Sequence, residues 1–115
     1  MPGMSIHVVD VSRGVIAAGM RVDVHRANPA RLVCTGLISP GGSLAEPALA
    51  GVLEPGVYEI RFHVAEFYRG AGVPLPAIPF LDILSIQIGI DDPQQHYHLP
   101  MKLTPWGLSC FRGGA

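Results

Sequence analysis

The sequence predicts an all-β domain of the sandwich or barrel kind, and three observations predict it. Fourteen glycines and eleven prolines are spread along the chain and cut it into short apolar runs, the rhythm of strands and turns rather than of a helical bundle. Most of those runs are rich in Val, Ile or aromatic residues, which suit a pleated, half-buried surface. The run Val57-Tyr58-Glu59-Ile60-Arg61-Phe62-His63 alternates strictly, so Tyr58, Ile60 and Phe62 share a core face while Glu59, Arg61 and His63 share a wetter one.

Taken in order, strands are expected over Ser5–Asp10, Met20–Arg26, Leu32–Ile38, Gly56–His63, Leu84–Ile90, Tyr97–Leu103 and Leu108–Arg112, with a further short strand near Leu44–Leu49. Val64–Gly70 has few β-branched residues and ends in glycine, which predicts one or two helical turns stopped by that glycine, the only helix of the chain. Gly72–Pro79 holds three prolines and cannot sit inside a sheet, so it is a loop or a crossover between sheets.

At 115 residues the chain has the length of one domain, 1–115, with one core. Its apolar fraction of 49% and mean hydropathy of +0.36 exceed what so small an interior absorbs, which points to a subunit interface. The net charge of −1 and the absence of any Lys/Arg cluster exclude the electrostatic footprint of nucleic-acid or anionic-membrane binding. No apolar stretch has transmembrane length, and Met1-Pro2-Gly3-Met4-Ser5 has neither the basic flank nor the apolar core of a leader, so a cytoplasmic location is expected. Cys34 and Cys110 are too few for a disulfide framework and are read as reduced thiols without assigned chemistry.

The candidate chemistry lies in three histidines. His96 and His98 project with Lys102 from one face of a strand, and Tyr97, Leu99, Met101 and Leu103 from the other. Imidazole titrates near neutrality, so two such rings beside a cavity can move protons. The same spacing suits a metal, or simply a solvated face. His7 lies in the first strand with Ser5 and Val9, opposite Ile6 and Val8, and becomes interesting only if it meets His98 in space. His25 and His63 have no recognisable polar partner and are read as structural. Near the chain end, Arg112 offers a planar donor fork that can clamp a carboxylate or ureide, or pair with a neighbouring acid. No phosphate-binding glycine loop, nucleophile elbow or zinc-finger spacing occurs, which argues against nucleotide cofactors.

Three stretches resemble the transthyretin-like family, whose enzymatic branch contains 5-hydroxyisourate hydrolase. They are Ser5-Ile6-His7-Val8-Val9-Asp10 with Arg13-Gly14 and Ala17-Ala18-Gly19-Met20, then Gly56-Val57-Tyr58 with the helix after it, and finally Asp92-Pro93-Gln94-Gln95-His96-Tyr97-His98-Leu99-Pro100 through Thr104-Pro105-Trp106-Gly107 to Phe111-Arg112-Gly113. The resemblance implies an antiparallel two-sheet sandwich of the transthyretin/prealbumin-like type with one short helix. It further implies pairing into dimers and then a homotetramer, with sites for a small-molecule substrate in the channel between dimers. In the hydrolase, water opens the substrate ring with the help of two histidines, an arginine from an Asp-Gly-Arg turn and the serine of a terminal Tyr-Arg-Gly-Ser, and no metal or organic cofactor is needed.

Carried over by position, His7 and His98 are the catalytic pair, with Arg112, His96, Ser43 and Gly114 placed to contact substrate. The chain departs from the family's pattern at four points. Gly41-Gly42-Ser43 stands where the Asp-Gly-Arg turn is expected, Gly114 replaces the terminal serine, Phe111 replaces the tyrosine, and Ala115 shifts the terminal carboxylate by one residue. A serine hydroxyl replaces neither the reach nor the charge of an arginine, although Arg31 or another arginine can be imagined reaching the site by a different route. Three functions follow from the resemblance: an enzyme using the histidine pair to open, close or tautomerise another small heterocycle; unchanged 5-hydroxyisourate hydrolysis in purine breakdown; or a non-catalytic carrier of a small apolar ligand.

Overall fold

The computed structural model describes residues 2–114. Two four-stranded sheets face each other. The first has the order β2-β1-β7-β8, built from β1 (Gly3–Asp10), β2 (Val15–Ile16), β7 (His96–Thr104) and β8 (Gly107–Cys110). The second has the order β4-β3-β5-β6, from β3 (Arg21–Ala27), β4 (Ala30–Leu37), β5 (Gly56–His63) and β6 (Ile83–Ile90). Every pairing is antiparallel except one, because β1 and β7 run parallel in the register Ser5↔His98 and His7↔Pro100. That exception to the expected antiparallel sandwich lays the first strand beside the histidine-bearing one.

Alternation decides which side chains enter the core. Ile6 and Val8 of β1, Ile60 and Phe62 of β5, and Met101 and Leu103 of β7 are buried between the sheets, each large apolar side chain contributing about 1.5–3 kcal/mol. The intervening Ser5, His7, His96 and His98 lie half-buried on the outer face of the first sheet.

The helix α1 (Val64–Gly70) follows β5 directly. The glycine that closes it is Gly72, with φ +79° and its N–H on the Arg69 carbonyl, rather than Gly70. Between Leu44 and Leu49 there is no strand; Pro47–Leu49 forms a single 3₁₀ turn. Proline fits the first position of such a turn, where its missing N–H costs nothing. The short β2, unforeseen in the sequence, pairs with the end of β1.

Asp10 is the buried charged residue among the described residues. Its carboxylate accepts hydrogen bonds from the Ser12 N–H (3.1 Å) and hydroxyl (2.5 Å), Arg13 Nε (2.6 Å) and the Tyr68 hydroxyl (2.8 Å). Burial alone raises a carboxyl pKa, but the bonds from Ser12, Arg13 and Tyr68 outweigh it and hold Asp10 below the ordinary carboxylate range. The network ties the end of β1 to α1.

Candidate functional site: a histidine face on the outer side of the first sheet

The parallel pairing of β1 with β7 assembles the site. His7 and His98 project from the same face of adjacent strands, offset by two residues in the register. With strands about 4.8 Å apart and a rise of about 3.3 Å per residue, that offset puts their Cα atoms on the order of 8 Å apart. Ser5 of β1 stands opposite His98, and its Oγ lies 2.6 Å from His98 Nδ1 and 2.8 Å from His96 Nε2. His96 Nδ1 in turn lies 3.3 Å from the Pro2 carbonyl oxygen.

The turn Ser39–Ser43 flanks His7. The Val8 N–H donates to the Gly42 carbonyl (3.0 Å) and the Leu44 N–H to the Ile6 carbonyl (3.0 Å), which sets Ser43 opposite His7 in an antiparallel bridge. Residues so paired point to the same side of a sheet, so the exposed Ser43 shares the histidine face. Gly42, at φ +96°, packs directly on the ring: a Cβ there would stand 2.4 Å from His7 Nε2.

The tail flanks His98. The Gly113 N–H donates to the His98 carbonyl at 2.7 Å, and a Cβ on Gly113 would come within 2.6 Å of His98 Cδ2. Gly114 follows with open space around its Cα. Ala115, whose carboxylate position the sequence reading considered, lies outside the described residues.

Arg112 takes a different course. Its guanidinium lies 4.2 Å from the Tyr97 ring centroid and donates to Gln95 Oε1 (3.0 Å) and the His96 carbonyl (3.3 Å). Tyr97 faces the core from β7 while His96 and His98 face outward. Among the described residues its partners are a ring, an amide and a carbonyl, not the acid envisaged as one alternative. His98 and Arg112 both border a cleft of about 370 Å³ beside β6, together with Ile88, Tyr97, Leu99 and Cys110. Arg31, the imagined substitute for the missing arginine, lies on β4 beside Val33, Leu53 and Tyr58, in the other sheet.

His63, read as lacking a polar partner, has one: its Nε2 lies 2.7 Å from Asp23 Oδ2, and Thr35 donates its hydroxyl to Asp23 Oδ1. Burial raises the Asp23 pKa, but the bonds from Thr35 and His63 prevail and lower it. Both cysteines are free thiols. Burial, with Glu46 and Asp23 nearby, pushes Cys34 up to about 11, and burial also raises Cys110, so neither is a thiolate at neutral pH. Among the described residues no group of three or more His, Cys, Asp or Glu is arranged to hold a metal, and no helix is long and apolar enough to cross a membrane.

Ser5 is the member of the cluster that sequence reasoning missed. Alternation already put it on the face of His7, but only the register of β1 on β7 brings it against two rings from the far end of the chain.

Comparison with known proteins agrees with this architecture. Residues 4–113 match the model of the HIUase/Transthyretin family. The 5-hydroxyisourate hydrolase of Deinococcus radiodurans is 36% identical over 115 residues, covering 97% of this chain and 96% of that protein. The 5-hydroxyisourate hydrolase 2 of Rhizobium meliloti is 34% identical over 113 residues, covering 96% and 94%. Among solved structures, the Klebsiella pneumoniae 5-hydroxyisourate hydrolase superposes with a TM-score of 0.83 at 25% identity, covering 99% of this chain and all (100%) of that one. An (S)-allantoin synthase superposes with a TM-score of 0.88 at 33% identity over 97% of this chain, which spans only 43% of that longer chain. A match that runs from the first strand to the glycine beside His98, in sequence and in fold alike, means that the chain belongs to the HIUase/Transthyretin family.

Proposed function

We propose that the protein is a cofactor-independent enzyme that uses His7 and His98 for proton transfer on a small heterocycle, opening, closing or tautomerising its ring. The observation that carries this reading is the common face of the two imidazoles, each flanked by a backbone segment able to present substrate contacts: the Ser43 turn beside His7 and the Gly113–Gly114 tail beside His98. Among the described residues neither ring is consumed by an ion pair with a carboxylate, so both can exchange protons with a ligand.

Ser43 gives the face beside His7 a short neutral hydroxyl where the enzymatic branch carries a guanidinium. A ureide held by charge-assisted bonds loses its strongest anchor there, which favours a substrate other than 5-hydroxyisourate. In the isolated chain the face is only half covered. A dimer of dimers that stacks two such faces would exclude water and complete the pocket.

A second reading, hydrolysis of 5-hydroxyisourate itself, is favoured by full-length relatives of that name. Freshly generated 5-hydroxyisourate, followed by its ultraviolet absorbance with the native protein and with His98→Ala, separates the two. Rapid loss that depends on His98 establishes the second reading. No acceleration by the native protein, with activity appearing in the Ser43→Arg, Gly114→Ser double variant, establishes the first. No His98-dependent turnover of 5-hydroxyisourate in either protein, together with none of any other small heterocycle offered to the native one, overturns the acid/base proposal.

A further inference from the structure

The chain Pro2–His96–Ser5–His98 has a direction. The Pro2 carbonyl can only accept, so the contact at 3.3 Å is a hydrogen bond only when His96 carries its proton on Nδ1. A neutral imidazole with Nδ1–H has a bare Nε2, which must therefore accept from the Ser5 hydroxyl at 2.8 Å. A hydroxyl has one hydrogen. With that hydrogen committed to His96, Ser5 Oγ can meet His98 Nδ1 at 2.6 Å only as an acceptor, so His98 carries its proton on Nδ1. The remaining ring nitrogen, His98 Nε2, is then a lone pair. No hydrogen bond is formed by that atom among the described residues, and no buried side-chain nitrogen or oxygen is left without a partner, so Nε2 is open to the surface.

We infer that Ser5 and His96 are positioning residues which fix neutral His98 as the Nδ1–H tautomer and aim an unprotonated Nε2 at the substrate, making His98 the general base of the site. The relay is polar in one direction only, because it is anchored on a backbone carbonyl that cannot donate. It also assigns His96 a part distinct from direct substrate contact: its two nitrogens are both engaged, one by Pro2 and one by Ser5. His7, which has no such chain behind it and instead abuts Gly42, is left as the group that takes the complementary acid role. When His98 Nε2 accepts a proton from water or substrate, the imidazolium still donates Nδ1–H to Ser5, so the relay keeps its geometry through the proton transfer.

This inference rests on the proposed acid/base function for its catalytic meaning, but its test does not. Nitrogen-15 NMR of the imidazole rings in the native protein at a pH where they are neutral should show His96 and His98 both with a protonated, pyrrole-type Nδ1 and a pyridine-type Nε2. Free histidine prefers the opposite tautomer. In Ser5→Ala the His98 pattern should invert toward Nε2–H, and Ser5→Thr, which keeps the hydroxyl, should restore it. His96→Ala should leave His98 a mixture of tautomers, since Ser5 then has no committed acceptor. A native His98 with Nε2–H, or an Nδ1–H signal unmoved by Ser5→Ala, overturns the inference. Failure to turn over any heterocycle while the tautomer pattern holds would instead sink the functional proposal alone, so the two failures are distinguishable.

Discussion

Gly42 and His7 touch so closely that no side chain fits between them: the ideal Cβ of residue 42 would lie 2.4 Å from His7 Nε2 and 2.9 Å from Cε1. Two independent constraints therefore select glycine, the contact and the left-handed backbone at φ +96°. The Gly42→Ala variant must rotate the His7 ring or move the turn. Added to a left-handed penalty of about 1–2 kcal/mol, that displacement should lower turnover at least about tenfold while the sheets persist. Steady-state rates beside a far-ultraviolet circular dichroism spectrum check it; native rates with an unchanged spectrum would show that His7 has no fixed catalytic position.

Because Ser43 shares the face of His7 and is exposed, an arginine there has room to extend over the site. A single charge-assisted hydrogen bond is worth about 1.5–3 kcal/mol. Ser43→Arg should accordingly raise kcat/KM for 5-hydroxyisourate about tenfold or more, chiefly through KM. Adding Gly114→Ser, at a position whose Cβ meets nothing within 4 Å, should not cost stability. Initial rates over a substrate range, with thermal unfolding of the same preparations, test both statements.

The sequence shows the architecture more fully than the site, for a physical reason. Alternation in β5 and β7 is a local signal, and Tyr58, Ile60 and Phe62, like Tyr97, Leu99 and Met101, do turn into the core. The 3₁₀ turn at Pro47 hid behind apolar residues that read equally as a strand. Site geometry depends instead on register between segments some ninety residues apart, as with Ser5 and His98, separated by 93 positions. No local pattern specifies that pairing. The Asp23–His63 contact escaped for the same reason, since it spans β3 and β5. The planar fork of Arg112 reads in sequence as a clamp or as half of an ion pair, and its stacking on Tyr97 depends on the tail folding back onto β7.

Arg112 is accordingly expected to matter for stability more than for substrate binding. Its stacking on Tyr97 at 4.2 Å is worth about 0.5–1 kcal/mol at an exposed site. Arg112→Met, which keeps the length of the stem, should lower the thermal midpoint by about 2–6 °C and change KM less than about twofold. The opposite result, a large rise in KM with an unmoved midpoint, would return the guanidinium to the substrate.

Asp10 makes part of the fold's stability depend on pH in the acid range. Its folded pKa is lowered below the unfolded value of about 3.9, so its stabilisation is fully present above the unfolded value and is lost as pH falls through the folded one. Asp10→Asn replaces an acceptor oxygen with an amide that faces a donor, either Arg13 or the Ser12 and Tyr68 hydroxyls. Leaving a buried donor unpaired in such a network costs about 2–4 kcal/mol. Urea unfolding should show the variant weaker by about that amount at pH 7. Below pH 4 the difference must shrink, since the native carboxylate is then losing its advantage while the amide has none to lose. A gap that stayed constant from pH 7 to pH 3 would mean that packing around Tyr68, and not the charge on Asp10, joins β1 to the helix.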